Sequence, residues 1–553
     1  MWFETPGHLE VVDDRLKIAG KDVQTLAEEF GTPLYVCNVS RVVANYRRVE
    51  TVFAQWAGDT PTKVYYAMKA NGAGDIIKRL NDINAHIEVA SVGELKFLLE
   101  NNVDPKRIFF TGIGFGLDNV KFIAECGATI NIDSFSQLEL FRPFAPLAIS
   151  IRFNPGITTG YNEKLEMSGN RLGAGKLGIH RDRIIEAFEL AESYGLKPTG
   201  LHQHIGSNYF GNNLYNFFEA TKTTLDVALQ LSQKGFNIAS LNLGGGIGVR
   251  NAERMTEFPL ELYCKGIWDK IRQSGLNFKM VSIEPGRYIV ADSCILLSSV
   301  NMVEEKAGIN YIGLDSGFNL YNHRFLYGIE PEIFNVSRIA EEKISSYCVS
   351  GYLGESGDVF SDDKTLPLTV VGDVLGIFPA GAYCASEIAA FHMQQVPKQL
   401  YLEEEKDGFD IFPFCKACPR NCCYIGAVNV LPHEYDRIVD RTGRDDVFAR
   451  HNEYYIIDKK KGDPCPFLGK DGVTCTVQDI KPADCKVWPL YFDEKGDPDH
   501  NTISPLCPAH KFMPDDYIGV LRNSLHEIPE SLRLEYYEDT FDFGYELKPL
   551  KKP

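Results

Sequence analysis

Eight short apolar runs, separated by amphipathic segments, restrict the fold of this 553-residue chain more than any other feature. The runs start near residues 64, 86, 108, 129, 149, 200, 240 and 279. Intervening segments such as "GELKFLLENN" and "RDRIIEAFELAESYG" repeat apolar residues at steps of three and four, as helices do. Strands that alternate with helices predict parallel pairing, and eight such units predict an α/β fold of the (β/α)₈ (TIM) barrel type.

The alternation of strands and helices stops after Glu284, where three β-rich stretches follow one another without helical segments. They are "YIVADSCILLSSVNMVEEK", "KISSYCVSGYL" and "TLPLTVVGDVLGIF", and they predict an antiparallel β domain. The opening "HLEVVDDRLKIAG" has the same character, so we expect it to join that sheet. The predicted domains are therefore a β domain of residues 1–35 and 287–400, a barrel of residues 36–286, and a cysteine-rich domain of residues 404–553.

Composition excludes several classes of partner. Hydrophobic residues make up 44% of the chain and charged residues 24%, which is ordinary for globular domains. A formal net charge of −18 argues against general affinity for nucleic acids or anionic membranes. The N-terminus lacks a basic segment followed by an apolar run, and no stretch reaches transmembrane length. We expect a cytoplasmic protein that acts on a small molecule.

Four polar residues lie at or near the C-terminal ends of predicted barrel strands: Lys69, Arg152, His204 and Glu284. Active sites of (β/α)₈ barrels are built on that face. A single lysine at a strand end is more often a side chain that reaches solvent than a catalyst. The group of four, however, predicts a site.

Two loops contain residues that are suited to bind a cofactor. Gly244, Gly245 and Gly246 follow the seventh strand, where backbone N–H groups can approach a phosphate, although tight turns use the same residues. Arg287, just after Glu284, suits a phosphate, and the carboxylate suits a cationic ring nitrogen. A lysine able to form a Schiff base, a phosphate loop and such a carboxylate together predict pyridoxal 5'-phosphate (PLP).

Residues 1 to about 400 resemble the fold-type III PLP-dependent decarboxylases, which include the diaminopimelate, ornithine and arginine decarboxylases. The resemblance rests on motifs in family order: "YYAMKAN", "EVASVGEL", "SIRFNPG", "GKLGIH", "GLHQHIGSN", "NLGGGIG", "IEPGRY", "GESGD" and "GAYCAS". It implies a barrel with a β domain, PLP as cofactor, and a homodimer with shared active sites into which "GESGD" reaches from the partner.

The same resemblance implies roles for individual residues. Lys69 would form the Schiff base, His204 would stack on the cofactor ring, and Glu284 would pair with the pyridine nitrogen. The cofactor phosphate would be surrounded by Ser207, Gly245, Gly246, Gly286, Arg287 and Tyr383. Arg152 and Glu94 would support the site near the lysine. The structural alternatives are core histidines at positions 202 and 204 and a β-domain aromatic at Tyr383.

The expected reaction follows from the cofactor. PLP withdraws electrons from Cα of a bound amino acid, and in these decarboxylases the bond to the carboxylate breaks. We therefore predict decarboxylation of an amino acid. Racemisation or epimerisation on the same scaffold is the alternative reaction, and a non-catalytic PLP-binding module is the third interpretation.

Two departures from the family pattern bear on the substrate. Diaminopimelate decarboxylases carry a cysteine implicated in reprotonation immediately before "ESGD", where this chain has Gly354. The arginine that binds the substrate carboxylate aligns with His323, which cannot form a bidentate guanidinium contact. These differences predict a different amino acid, or an amino-acid-derived conjugate, as substrate. Glu355 and Asp358 are candidate catalytic residues that would bind a substrate amine.

The 14 cysteines fall into two groups. Six occur singly and are expected to be small buried side chains: Cys37, Cys126, Cys264, Cys294, Cys348 and Cys384. Eight crowd the C-terminal part and are the predicted metal ligands: Cys415, Cys418, Cys422, Cys423, Cys465, Cys475, Cys485 and Cys507. Their spacing favours a metal over a disulfide framework and resembles the zinc- or iron-chelating CxxCxxxCC family. An iron–sulfur cluster or zinc would satisfy thiolate-only ligation.

Overall fold

The structure is a computed structural model that divides the chain into two units, Met1–Glu405 and Lys406–Pro553. It describes residues 1–166, 175–403 and 428–451. Beyond these it describes 454–457, 464–469, 475–477, 481–482, 490–491, 502–503, 548–549 and the single residues Lys459, Cys485, Leu521, Leu525 and Ile528. Each unit is described separately below.

The opening segment forms a small three-stranded sheet of its own, which corrects the expectation that it joins the large sheet of the β domain. Its elements are β1 (Leu9–Val12), β2 (Arg15–Ile18), β3 (Lys21–Asp22) and the helix α1 (Val23–Phe30). Asp13 and Asp14 both have positive φ and connect β1 to β2 in a two-residue hairpin, which turns the segment back onto itself. Its apolar residues pack in one core with Ile295 and Phe334 of the β domain.

The chain then enters the larger sheet and the barrel through β4 (Leu34–Asn38) and α2 (Val39–Gln55). Nine strands follow: β5 (Thr62–Ala67), β6 (His86–Val89), β7 (Ile108–Phe110), β8 (Thr129–Ile132), β9 (Ala148–Asn154), β10 (Ile179–His180), β11 (Lys197–His202), β12 (Ser240–Asn242) and β13 (Met280–Ile283). Eight of them form a closed parallel barrel in the order β9-β11-β12-β13-β5-β6-β7-β8, closed by pairing of β8 with β9. The short β10 pairs with β9 outside this ring. The predicted (β/α)₈ barrel is confirmed.

Helices surround the barrel because each buries one apolar face against the strands. They are α3 (Gly74–Asp82), α4 (Val92–Glu100), α5 (Val120–Glu125), α6 (Phe135–Phe141), α7 (Ile184–Ser193), α8 (Leu214–Gln233), α9 (Leu260–Ser274) and the one-turn α10 (Arg287–Val290). Ser91 and Ser134 cap α4 and α6, since each hydroxyl accepts a bond from a backbone N–H of the first turn. These caps fix where each helix starts, shortly after the preceding barrel strand.

The β domain contains the strands β14 (Cys294–Lys306), β15 (Ile309–Leu314), β16 (Glu332–Asn335), β17 (Ser345–Ser350), β18 (Val359–Leu366), β19 (Val374–Phe378) and β20 (Lys398–Leu402), and the helix α11 (His323–Tyr327). Together with β4 these strands form an eight-stranded sheet. The predicted β domain is confirmed, but the sheet is mixed and not wholly antiparallel. The pairs β15–β17 and β20–β4 are parallel.

Two of the six single cysteines are bonded to each other, which corrects their assignment as isolated buried side chains. Cys37 on β4 and Cys294 on β14 face one another across an antiparallel strand pair and form a disulfide. Of the others, Cys264, Cys348 and Cys384 are buried, as expected, and Cys126 is half-buried.

The described part of the second unit is small. It contains β21 (Val428–Val430), α12 (Pro432–Thr442), β22 (Phe448–His451), β23 (Tyr454–Ile457), β24 (Leu490–Tyr491), β25 (Thr502–Ile503) and β26 (Lys548–Pro549). β21, β23 and β22 form an antiparallel sheet. Ile438 of α12 packs against Val430 of β21 and Ile457 of β23 in one small core. Within the described residues of the whole chain, no helix is long and apolar enough to cross a membrane.

Candidate active site

Lys69 lies at the C-terminal end of β5, on a single 3₁₀ turn formed by Met68–Ala70. Its Nζ donates a 2.7 Å hydrogen bond to Oε2 of Glu88, a completely buried residue on the neighbouring strand β6. The two strands are in register, with Ala67 opposite Glu88, so the acid lies beside the lysine. Sequence analysis missed Glu88, although an acidic residue inside the apolar run "HIEVAS" was a signal that could have been used.

The charges of this pair depend on each other. Burial lowers the pKa of Lys69, but Glu88, Tyr383 and Glu284 outweigh that effect and raise its pKa above the ordinary value. Burial raises the pKa of Glu88, and the ammonium of Lys69 offsets only part of this increase. The amine is thus held protonated, and Glu88 is positioned to receive a proton from it.

Glu94, the acid predicted to support the lysine, has a different contact in the structure. Its Oε2 accepts a 2.7 Å hydrogen bond from the N–H of Ala90, while Ser91 caps the same helix α4. Glu94 therefore organises the start of α4, and Glu88 is the acid that contacts Lys69.

Glu284 stands at the end of β13, buried and hydrogen-bonded on both oxygens. Nε2 of His202 lies 3.2 Å from its Oε2, and Nδ2 of Asn242 donates to its Oε1 at 2.8 Å. Burial alone would raise the pKa of Glu284, but His202, Lys69 and His204 lower it to about 2. A carboxylate that stays ionised while buried can hold a protonated ring nitrogen.

His204 follows β11 and presents a neutral imidazole. Burial, with Arg152 and Lys69 nearby, lowers the pKa of His204 well below its ordinary value. Nδ1 accepts a 3.1 Å hydrogen bond from the N–H of Gly245, so the ring proton is on Nε2. The uncharged ring is fixed against the glycine loop, as a residue that stacks on an aromatic cofactor must be.

The glycine loop brings backbone close to the site. A Cβ at Gly245 would lie 2.1 Å from the carbonyl oxygen of Glu284, and Gly246 has a φ of +109°. Side chains are excluded at both positions, so the backbone itself lines this part of the site. Two other predicted phosphate residues lie on the adjoining loops: Ser207 follows β11, and Gly286 packs against Ala67 at the end of β5.

Two buried arginines have nitrogen atoms without a hydrogen-bond partner among the described residues. They are Nε of Arg287 and Nη2 of Arg152, and the nearest acid to Arg152 is Asp133, 3.7 Å from Nη1. The guanidinium of Arg287 lies 4.8 Å from the ring centre of Tyr383. Buried cationic donors left without partners indicate an anionic ligand. This feature and the glycine loop fit the phosphate of PLP.

Tyr383 connects the β domain to the 3₁₀ turn that carries Lys69. Its N–H donates a 2.8 Å bond to the carbonyl of Ala70, next to Lys69. Its φ is +56°, a left-handed conformation that a non-glycine residue adopts at a cost. The structure therefore brings Lys69, His204, Glu284, Arg287 and Tyr383 together at one end of the barrel.

The loop 354–358 is a separate feature of the β domain. Asp358 is buried, and its two oxygens accept 2.7 Å hydrogen bonds from the N–H groups of Phe318 and Leu353. Asp358 therefore fixes the conformation of the loop. Glu355 keeps a buried oxygen, Oε2, without a partner among the described residues. No described hydrogen bond or ion pair joins this loop to Lys69 within one chain.

His323 and Arg324 also have defined surroundings. His323 is buried, its Nε2 lies 3.8 Å from Sγ of Cys384, and burial lowers its pKa well below the ordinary value. Arg324 donates to the carbonyl of Val359 at 2.8 Å and pairs with Asp362 and Glu330. At the position of the family arginine, this chain thus has a neutral imidazole, and the neighbouring guanidinium is already engaged.

The fold and the site define a class, the PLP-dependent amino-acid carboxy-lyases. Residues 39–291 match the family model described as pyridoxal-dependent decarboxylase, pyridoxal binding domain. The diaminopimelate decarboxylase of Methanothermobacter thermautotrophicus is 33% identical over 407 residues, which cover 72% of this chain and 93% of that protein. The chain belongs to the pyridoxal-dependent decarboxylase family.

Other relatives agree. The diaminopimelate decarboxylase of Staphylococcus aureus is 30% identical over 71% of this chain and 93% of its own. The crystal structure of the Methanocaldococcus jannaschii diaminopimelate decarboxylase in complex with L-lysine superimposes on this chain with a TM-score of 0.66 at 28% sequence identity. The superposition covers 72% of this chain and 93% of that one. These names give no support to the expectation that diaminopimelate is not the substrate.

The predicted metal ligands are only partly within the described residues. Cys415, Cys418, Cys422, Cys423 and Cys507 lie outside them. Cys465 and Cys475 pack against the small core around Phe467, and Cys485 is half-buried. Among the residues that the structure describes, no cluster of three or more His, Cys, Asp or Glu side chains could hold a metal ion. Zinc or an iron–sulfur cluster thus stays a prediction.

Proposed function

We propose that this carboxy-lyase holds PLP through Lys69 and keeps its ring protonated with Glu284. The observation that carries the proposal is the buried, ionised Glu284, fixed by His202 and Asn242 at the end of β13, the strand next to the one that leads to Lys69. PLP, when bound, draws electrons away from Cα and so weakens the bond to the carboxylate.

The other residues have supporting roles in this proposal. The neutral His204 would stack on the ring. The phosphate would be held by Ser207, Gly245, Gly246, Gly286, Arg287 and Tyr383. The partnerless nitrogen of Arg287 supports this arrangement, because a phosphate would supply the missing acceptor. Arg152 stands at the end of β9 with a second unpaired donor facing the same buried region. Glu88 accepts the proton that Lys69 must lose before its nitrogen can bond to an aldehyde.

We propose as substrate an amino acid, or an amino-acid-derived conjugate, that lacks the second carboxylate of diaminopimelate. Support comes from His323, which is buried and uncharged, and from Arg324, whose donors are occupied. Neither His323 nor Arg324 can form a bidentate contact with the second carboxylate of diaminopimelate. Glu355 offers its unpaired oxygen to a substrate amine.

An amino-acid panel tests both the reaction and the substrate. We expect the purified PLP-loaded protein to release CO₂ from L-lysine, L-ornithine or L-arginine at least about tenfold faster than from meso-diaminopimelate, because the missing charge contact is worth more than ~1.4 kcal/mol. Mass spectrometry would follow the products. Preferred turnover of meso-diaminopimelate would contradict the substrate proposal. Inversion at Cα without CO₂ would indicate a racemase, and no hydrogen exchange at Cα would indicate a binding module.

We also propose a homodimer in which the loop 354–358 of one subunit completes the site of the other. The support is the partnerless Oε2 of Glu355 and the lack of any described contact between this loop and Lys69 in its own chain. A carboxylate with one buried oxygen left unpaired among the described residues is suited to a ligand brought by a second subunit.

The cysteine-rich unit is proposed to bind zinc or an iron–sulfur cluster, on the spacing of its eight cysteines alone. Anaerobic purification followed by elemental analysis is expected to find zinc, or iron with acid-labile sulfide, in stoichiometric amounts. Replacing Cys415 and Cys418 together by serine should lower that content severalfold, and the same exchange at Cys126 and Cys264 should not change it. Metal-free protein from anaerobic cells would overturn the assignment.

A further inference from the structure

The space next to Gly354 is occupied by a side chain from elsewhere in the chain. Among the described residues, a Cβ built at Gly354 would meet a single neighbouring atom within 4 Å, Cε1 of His392 at 3.8 Å. Position 354 opens the loop that also carries Glu355. The loop therefore lacks a reactive side chain of its own at this position, and an imidazole lies within van der Waals contact of the place where a Cβ would be.

His392 is held in this place by its backbone and its neighbours. Its φ is +55°, in the left-handed region, which histidine tolerates better than most side chains. Its ring stacks on that of Phe391 with ring centres 4.4 Å apart. The ring centre of Phe391 lies 5.9 Å from that of Phe318. A strained conformation fixed by aromatic contacts is typical of functional positions.

Glu355 provides the counter-charge. Its Oε1 lies 3.9 Å from Nε2 of His392, within ion-pair distance. The side chain of His392 is 46% exposed, so it can contact a ligand that approaches the loop. An imidazole with a carboxylate beside it has the arrangement of a general acid.

We propose that His392, as an imidazolium paired with Glu355, is the catalytic acid that protonates the α carbon after decarboxylation. This inference rests on the proposed function and on the proposed dimer, which brings the loop to the partner's Lys69 site. The bond between Cα and the carboxylate breaks, CO₂ leaves, and the electron pair stays with Cα. The N–H bond of the imidazolium then breaks as the new Cα–H bond forms, and the neutral imidazole regains a proton from water.

Cys384 is the alternative acid among the described residues near Tyr383. It is buried, and burial raises the pKa of its thiol above the range in which it readily releases a proton. Its sulfur already contacts His323 and the carbonyl of Ala382. It is therefore less suited than the exposed His392 to transfer a proton to a ligand.

The first experiment tests the geometry without turnover. In the full-length PLP-loaded protein, Gly354→Cys introduces a thiol beside His392, and peptide mass spectrometry follows its alkylation by iodoacetamide. An imidazolium at this distance should lower the pKa of the thiol, so we expect alkylation near neutral pH to be about 3–10-fold faster than in Gly354→Cys/His392→Gln. Equal rates in the two proteins would overturn the placement of His392.

The second experiment tests proton delivery in deuterated water, with L-lysine and meso-diaminopimelate as probes. His392→Gln is expected to lower kcat by about 10²–10³-fold. It should also yield product with deuterium in both configurations at Cα, where the unmodified protein gives one. Adding Gly354→Cys should restore part of the rate, because a thiol is then present at the same place.

His180→Gln is the matched control, since His180 is also 46% exposed and bonds to a carboxylate, that of Asp182, at 2.7 Å. It should leave the rate and configuration unchanged. Turnover by His392→Gln at the unmodified rate, with a single configuration, would overturn the inference and leave the proposed decarboxylation standing. If the unmodified protein released no CO₂ from any panel member, the proposed function would fail, and so would a donor role for His392.

Discussion

Substituting alanine for Lys69 is expected to remove the visible absorbance of the bound cofactor and to lower kcat/KM by about 10³-fold or more. Lys69 provides the amine at the barrel mouth that Glu88 holds in place, and no other described lysine contacts Glu88 or Glu284. Absorbance spectra and CO₂ release would measure the two effects. Lys63→Ala is the control, because Lys63 lies on the same strand at its opposite end.

An unchanged spectrum in Lys69→Ala would contradict the assignment of the cofactor site. The same variant also tests the dimer. Lys69→Ala and Glu355→Ala, each inactive alone, should recover up to about a quarter of the activity when mixed and allowed to exchange subunits, because one site in each mixed dimer is intact. No recovery despite exchange would place both residues in the same subunit's site.

Glu284→Gln is expected to lower kcat by about 10²–10³-fold while the cofactor stays bound. Glutamine keeps the shape and the hydrogen bond from Asn242 but loses the negative charge that would hold the ring protonated. Because the pKa of Glu284 is lowered to about 2, below its ordinary value, the carboxylate is ionised at every higher pH. The deficit should therefore be constant between about pH 6 and pH 9.

Steady-state kinetics across that range would check the result. Glu332→Gln is the control, since Glu332 is also a buried carboxylate paired with a lysine, Lys364, but lies in the β domain. A deficit below about threefold in Glu284→Gln, or one that disappears at low pH, would mean that the ring does not depend on this charge.

Much of the barrel and its site could be predicted because strand alternation and strand-end polar residues are local features of the sequence. The contact between Lys69 and Glu88 could not, because it depends on the register of β5 against β6. "EVASVGEL" contains two acids, and only the fold decides that Glu88 faces the lysine while Glu94 turns back to Ala90.

Long-range pairing explains the other differences. Cys37 and Cys294 are 257 residues apart, so their disulfide requires β4 to lie beside β14 in one register. The initial hairpin looked like part of the large sheet because its apolar alternation is the same. Its two positive-φ aspartates pair it with itself, and nothing in the alternation distinguishes these two arrangements.

The pairing of β4 with β20 joins the beginning and the end of the first unit. Leu34 lies opposite Lys398 and Asn38 opposite Leu402, so the strand that enters the sheet and the strand that leaves it are neighbours. The barrel and most of the β domain lie between these two strands in the sequence. The chain of this unit therefore ends beside the strand through which it first enters the sheet. A shorter chain that ended before β20 would leave one edge of β4 unpaired.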